Sequence, residues 1–152
     1  MAGRAAEATD SRELPQPPQE VWEALAVLRP YCAVCDVSYL VTGSGRGATF
    51  VCLPGRVVDT APPGRGTSGE IVEWAPPRQV TTRLERTGEI WTTHLQLTGT
   101  DSGGTRVAVT LRCETTGVAL VGALQRRSLQ RLVERTLAGE LTRLPDHVAQ
   151  LS

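Results

Sequence analysis

Residues Gly69–Leu97 read GEIVEWAPPRQVTTRLERTGEIWTTHLQL. Three strand-sized runs lie within this stretch, rich in Val, Thr and aromatics and broken by Pro76-Pro77 and by Thr87-Gly88. Apolar and polar residues alternate along each run, the period of a strand with one buried face. Proline cannot donate to a strand ladder, so the paired prolines mark an end. Connections this short allow only antiparallel neighbours.

The same period extends outward on both sides. DVSYLVTG and RGATFVCLPG precede the stretch and TRVAVTLRCETTG follows it, all separated by Gly, Pro, Ser or Asp turns. An antiparallel meander is expected, with DTAPPGRGTS, its longest gap, as a mobile loop. After Gly117 the period becomes helical. Leu129, Val133, Leu137, Leu141, Leu144 and Val148 step by three or four along one face, so a long amphipathic helix is expected, bent or ended before Pro145. Near the N-terminus a first strand is expected to end near Leu14. PQPPQEVWEALAVL then starts as a helix, with prolines in its first turn, Glu20 and Glu23 at the positive end of its dipole, and Val21, Trp22, Leu25 and Leu28 as its apolar face. Pro30 is expected to stop it. The fold class is α+β, with a long helix on one face of a curved antiparallel sheet.

A chain of 152 residues with this apolar content suits one domain over residues 1–152. Net charge is zero, so no global field selects nucleic acid or an acidic membrane as partner. Arginine supplies all the positive side-chain charge apart from the histidines; lysine and asparagine are absent, as in a GC-rich bacterial genome. No secretory h-region and no membrane-length apolar run is seen, and four cysteines without a leader point to reduced thiols in the cytoplasm.

The order and spacing of LPQPPQEVWEAL, GEIVEWAPPRQV, GGTRVAVTLRCE and the closing helix resemble the START-like superfamily, also called SRPBCC or helix-grip, and within it the polyketide cyclase/dehydrase-like proteins. The resemblance implies short N-terminal helices, a curved sheet wrapped around the last helix, and a ligand cavity between them. It also implies a hydrophobic or aromatic, polyketide-like small molecule as partner. The role is then a ligand-binding protein or a cyclase of natural-product metabolism, with a non-catalytic interaction module on the same fold as the alternative. Cyclases of the family resemble one another in using an arginine on the strand before the paired turn. Here that strand offers Glu73 and Trp74, and no catalytic residue is assigned.

Strand alternation selects the residues that would face such a cavity. Trp91, Thr93, Leu95 and Leu97 share one face and His94 takes the other. Val107, Val109, Leu111 and Cys113 form the next inward set, and Val72, Trp74, Val80, Thr82 and Leu84 another. Tyr39, with Phe50 or Cys52, would close one end, and Leu129, Val133 and Leu137 would supply the helix wall. The ligand-binding set is therefore Tyr39, Trp74, Thr82, Trp91, Thr93, Val109, Cys113 and Val133. Hydroxyls, the indole N–H groups of Trp74 and Trp91, and Arg83 or Arg86 at the rim are the polar handles.

Other motifs read more plainly. Cys32 and Cys35 form a C-x-x-C pair, but it follows a helix and precedes a meander, unlike a thioredoxin couple. Cys52 and Cys113 stand on separate strands, so a four-cysteine zinc site is not expected; neither metal nor cofactor is. GRGTSG, Gly64–Gly69, satisfies a dinucleotide pattern only literally, because prolines precede it and a strand follows; it reads as a loop, and as a lid at a cavity mouth. His147 is expected to stand beside Asp146 in a fraying terminus, outside any site. Arg127, Arg131 and Arg135 read as a solvated helix face, with an acyl carrier protein as the sharper partner for that row.

Overall fold

The computed structural model describes residues 4–57, 66–86, 88–115 and 123–150. Its elements run β1 (Arg4–Leu14), α1 (Pro18–Leu25), β2 (Tyr31–Cys32), β3 (Val37–Thr42), β4 (Thr49–Pro54), β5 (Thr67–Ala75), β6 (Gln79–Arg86), β7 (Glu89–Gly99), β8 (Thr105–Thr115) and α2 (Ala123–Ala149). The expected loop 59–68 falls partly outside the described residues; its last two, Thr67 and Ser68, already belong to β5.

All eight strands join one curved antiparallel sheet in the order β1-β8-β7-β6-β5-β4-β3-β2. From β3 to β8 this is the expected meander, and the unexpected two-residue β2 extends it at the edge. β1 closes the far side by pairing with β8 along its whole length, Arg4 opposite Thr115 through Leu14 opposite Thr105. Thr105, fully buried, fixes that corner by donating its hydroxyl to the Gln16 carbonyl at 2.8 Å.

Helix α1 begins as its composition requires, with Pro18 in the first turn, where a missing N–H is harmless, and Glu20 near the positive end. It buries Val21 and Trp22 and ends at Leu25, five residues before Pro30. A β-branched Val27 and the pre-proline position of Arg29 disfavour helix there. The Tyr39 N–H also draws the Pro30 carbonyl onto β3 at 3.0 Å. The released segment runs along the rim of the cavity described below.

Helix α2 lies across β1 and β8 and touches α1. Val133, Leu137, Leu141, Leu144 and Val148 are buried along it, and Leu129 packs half-buried against the same core. Of the two outcomes expected at Pro145, a bend or an end before it, the end does not occur: α2 runs through Pro145 and continues to Ala149. The carbonyl four residues earlier, Leu141, loses its N–H partner to the proline ring and accepts instead from Arg12 Nη1 at 3.0 Å. No helix among the described residues is long and apolar enough to cross a membrane.

Candidate functional site

Because α2 covers β1 and β8, the remaining strands curve away from it and leave a cavity of about 550 Å³. Its floor is the inward face of β6, β7 and β8: Val80, Thr82 and Leu84, then Trp91, Thr93 and Leu95, then Val109 and Leu111. Tyr39, Phe50 and Cys52 close one wall, and the Tyr39 and Phe50 rings meet edge-on at 6.2 Å. Leu132, Thr136, Glu140 and Leu144 of α2 form the roof. Ala24–Arg29, Cys32, Cys35, His147 and Gln150 surround the mouth.

Of the ligand-binding set read from sequence, Tyr39, Thr82, Trp91, Thr93 and Val109 come together on this lining. Trp74, Cys113 and Val133 do not. Trp74 keeps the inward face of β5 but sits over α1, its ring 5.0 Å from Trp22 in an edge contact. A β-bulge contributes to the misreading: Ile71 pairs with Thr82 but Glu73 pairs with Thr81, so Val72 is one residue too many. Alternation beyond the bulge shifts, and Ile71 enters the core in place of Val72. Cys113 is fully buried beneath α2. Val133 points straight at the sheet, and the helix wall belongs to the neighbouring stripe of Leu132, Thr136 and Glu140.

The polar groups are few. Thr82 and Thr93 stand opposite each other on β6 and β7, and their hydroxyls make no hydrogen bond among the described residues. The Trp91 indole N–H is already committed to Glu89 Oε2 at 2.7 Å, so it is not the free handle expected. Arg83 turns to Glu85 at 3.3 Å on the exposed face, leaving Arg86 at the cavity. Glu140 is held by Arg143 at 2.7 Å. Burial pushes the Cys52 thiol up to about 11 and the Tyr39 phenol up as well, keeping both neutral at ordinary pH. His94 turns away from the cavity and shares a 2.6 Å hydrogen bond with Thr81.

The mouth holds the groups that the sequence did not connect. Cys32 closes β2, and the following turn brings Cys35 back beside it. Asp36 ends the turn at φ 53°, a left-handed conformation that aspartate tolerates, and its carbonyl accepts from the Gly55 N–H at 2.8 Å. Its carboxylate takes the Tyr31 hydroxyl at 2.6 Å. His147, expected to stand apart near a fraying end, lies in the last turn of α2 and meets both thiols, Cys32 Sγ at 3.6 Å from Nδ1 and Cys35 Sγ at 3.5 Å from Nε2. Burial lowers the pKa of His147 and raises that of Cys35 to about 11. All four cysteines are free thiols.

No protein-family model matches the chain, and no curated protein matches it by sequence. Solved structures do match over almost the whole length. A protein from Thermus thermophilus is 21% identical, with 96% of this chain and 99% of that one covered and a TM-score of 0.70. The Zhui aromatase/cyclase of a Streptomyces is 16% identical, with 97% and 95% covered and a TM-score of 0.68. Norcoclaurine synthase from Thalictrum flavum is 10% identical, with 99% and 96% covered and a TM-score of 0.63. With its eight-stranded antiparallel sheet gripping a long C-terminal helix, the chain has the START-like, helix-grip fold.

Proposed function

We propose that the cavity binds a flat, largely apolar small molecule of aromatic or polycyclic, polyketide-like character, and that the protein is a binder or cyclase of such compounds. One observation carries this reading. The lining joins three aromatic side chains, Tyr39, Phe50 and Trp91, to two threonine hydroxyls with no protein partner among the described residues, in a space of about 550 Å³. That volume falls in the range of small-molecule sites, and a lining that is apolar except for a few placed polar atoms is what such sites have. Two structural neighbours support it: an aromatase/cyclase, and norcoclaurine synthase in complex with dopamine and hydroxybenzaldehyde.

Thr82 and Thr93 would orient the ligand by hydrogen bonds from the floor. Tyr39, whose phenol burial keeps protonated, is a lining group able to donate a proton toward it, which leaves room for an enolising or dehydrating step. An interaction module would fill its interior with side chains, and the open cavity speaks against that alternative. The exposed Arg127, Arg131 and Arg135 carry no feature that selects an acyl carrier protein over solvent.

Native mass spectrometry of freshly purified protein, followed by titration with bicyclic and tricyclic phenols, tests the reading. A co-purifying aromatic compound, or saturable one-to-one binding that Thr82→Val with Thr93→Val weakens, supports it. Absence of both across such a panel would overturn it.

A further inference from the structure

We propose that Cys32, Cys35 and His147 form a binding site for a zinc-type divalent cation at the mouth of the cavity, with a fourth coordination position open toward it. Such a site goes beyond the ligand reading and does not depend on it. One ligand atom from each of the three residues lies within 4.8 Å of the others. In a tetrahedral zinc site with Zn–S of about 2.3 Å and Zn–N of about 2.0–2.1 Å, sulfur and nitrogen stand about 3.5–3.6 Å apart along an edge. The observed sulfur-to-nitrogen distances are 3.6 Å for Cys32 and 3.5 Å for Cys35.

The two thiols face different ring nitrogens, so closing the site on one of them requires a turn of the imidazole. Gln150 selects which. Its amide stands 3.5 Å from His147 Nδ1 and 3.7 Å from Cys32 Sγ. With the amide oxygen turned to accept from Nδ1–H, Nε2 becomes the ligand, oriented as metal-bound histidines usually are. Two thiolates and one neutral imidazole cancel the charge of a divalent ion, which suits a half-buried site. Binding releases the two thiol protons to solvent. The Arg143 guanidinium lies beside Cys35, a cation next to the thiolate that forms.

The support for this constellation comes from two distant parts of the chain. The C-x-x-C turn is braced by the Tyr31–Asp36 and Gly55–Asp36 hydrogen bonds, and Arg56 lies over the Tyr31 ring at 4.1 Å. His147 is fixed from the other side by α2, whose neighbouring Val148 is fully buried. A closed structural zinc site would need a fourth protein ligand, and among the described residues no fourth cysteine, histidine or carboxylate joins the group. Three protein ligands with an open position is the arrangement of sites that take a water or a ligand oxygen.

The test uses full-length reduced protein, freed of metal with a chelator under argon, and titrated with cobalt(II). One equivalent is expected to produce a thiolate-to-cobalt charge-transfer band and the intense visible bands of tetrahedral cobalt, and zinc(II) should bleach both by displacement. Gln150→Ala should weaken cobalt binding by about tenfold, and Cys35→Ser or His147→Ala by more, with the circular dichroism spectrum unchanged. Cys52→Ser should leave binding as it is. Absence of the charge-transfer band in wild-type protein overturns the proposal whatever the variants do. So does a band that survives His147→Ala, or a Cys32–Cys35 disulfide that forms in place of metal binding in the reduced protein.

Discussion

Arg12 Nη1 donates to the Leu141 carbonyl at 3.0 Å, tying the C-terminal end of β1 to the last turns of α2. That carbonyl would ordinarily serve the N–H of residue 145, which is proline. A strand residue thus replaces the hydrogen bond that the helix cannot make for itself.

Arg12→Ala should therefore lower stability by about 0.5–1.5 kcal/mol, the usual net worth of one hydrogen bond. The informative measurement is a double-mutant cycle in urea. Pro145→Ala restores an N–H to the carbonyl, so Arg12→Ala should cost markedly less in that background. Equal costs in the two backgrounds would show that Arg12 acts through something other than the orphaned carbonyl.

Gly69 is the second backbone position whose identity matters to the site. It pairs directly with Phe50 across β4 and β5, and the Phe50 ring lies over it where a Cβ would stand. Gly69→Ala should push Phe50 off its rotamer toward the cavity and cost roughly 1–3 kcal/mol. Calorimetry should show the lower melting temperature, and ligand titration should show weaker binding. Unchanged values in both would mean the ring has another place to go.

How much of the molecule is legible in its sequence depends on which forces set each feature. Strand and helix identities are legible because they follow from hydrophobic period, which a buried face imposes locally. The pairing of β1 with β8 is not, since it joins residues about a hundred apart and nothing in Arg4–Leu14 names its partner. Alternation leads to Tyr39, Thr82, Trp91, Thr93 and Val109, which the cavity does bring together, and fails at Val72, where one bulged residue breaks the count. On α2 the strongest apolar stripe is the natural choice for a cavity wall, but that stripe seeks the tightest packing against β1 and β8. The half-polar stripe of Leu132, Thr136 and Glu140 also steps by four, and that step is the available signal. His147 meets the cysteines only through the tertiary fold, which a spacing rule cannot see.

Cys52 gives a pH dependence of definite sign. Burial holds its thiol near 11, above its value in the unfolded chain. Its contribution to stability is then complete below the unfolded thiol pKa and is lost as pH rises through about 11. Cys52→Ala should flatten that alkaline limb of the stability curve. At pH 8 only about one thiol in a thousand would be ionised, so iodoacetamide should modify Cys52 slowly in native protein and rapidly in urea. Fast native labelling at Cys52 would contradict its placement in the wall.

The buried stripe of α2 should be indispensable. Leu137 is 4% exposed and Val133 fully buried against the sheet. Leu137→Ala should cost roughly 2–5 kcal/mol, and Val133→Asp should prevent folding by placing an unpaired charge in the core. Arg131→Ala, on the exposed face, should change the urea midpoint little. A folded Val133→Asp protein would require the helix to be turned.

Trp91 offers the sharpest test of the cavity, because the other two tryptophans, Trp22 and Trp74, pack on each other away from it. Replacing both with phenylalanine leaves one indole, set in the floor between Leu84 of β6 and Cys113 of β8. A flat aromatic ligand laid against that ring removes apolar surface at roughly 25 cal/mol per Å². It should quench the single fluorophore in a saturable manner. In the wild-type background Trp91→Ala should weaken the same ligand at least tenfold by calorimetry, while Trp74→Phe should leave affinity within a factor of about two, since only a surface that the ligand covers contributes to its binding. Glu89 would then lose its indole partner and face solvent at the cavity end, so Trp91→Phe, which keeps an aromatic face but no N–H, separates the two effects. Retained affinity in Trp91→Phe and loss in Trp91→Ala assigns the role to the ring face. Equal affinity in wild type and Trp91→Ala would remove the floor of β7 from the binding site.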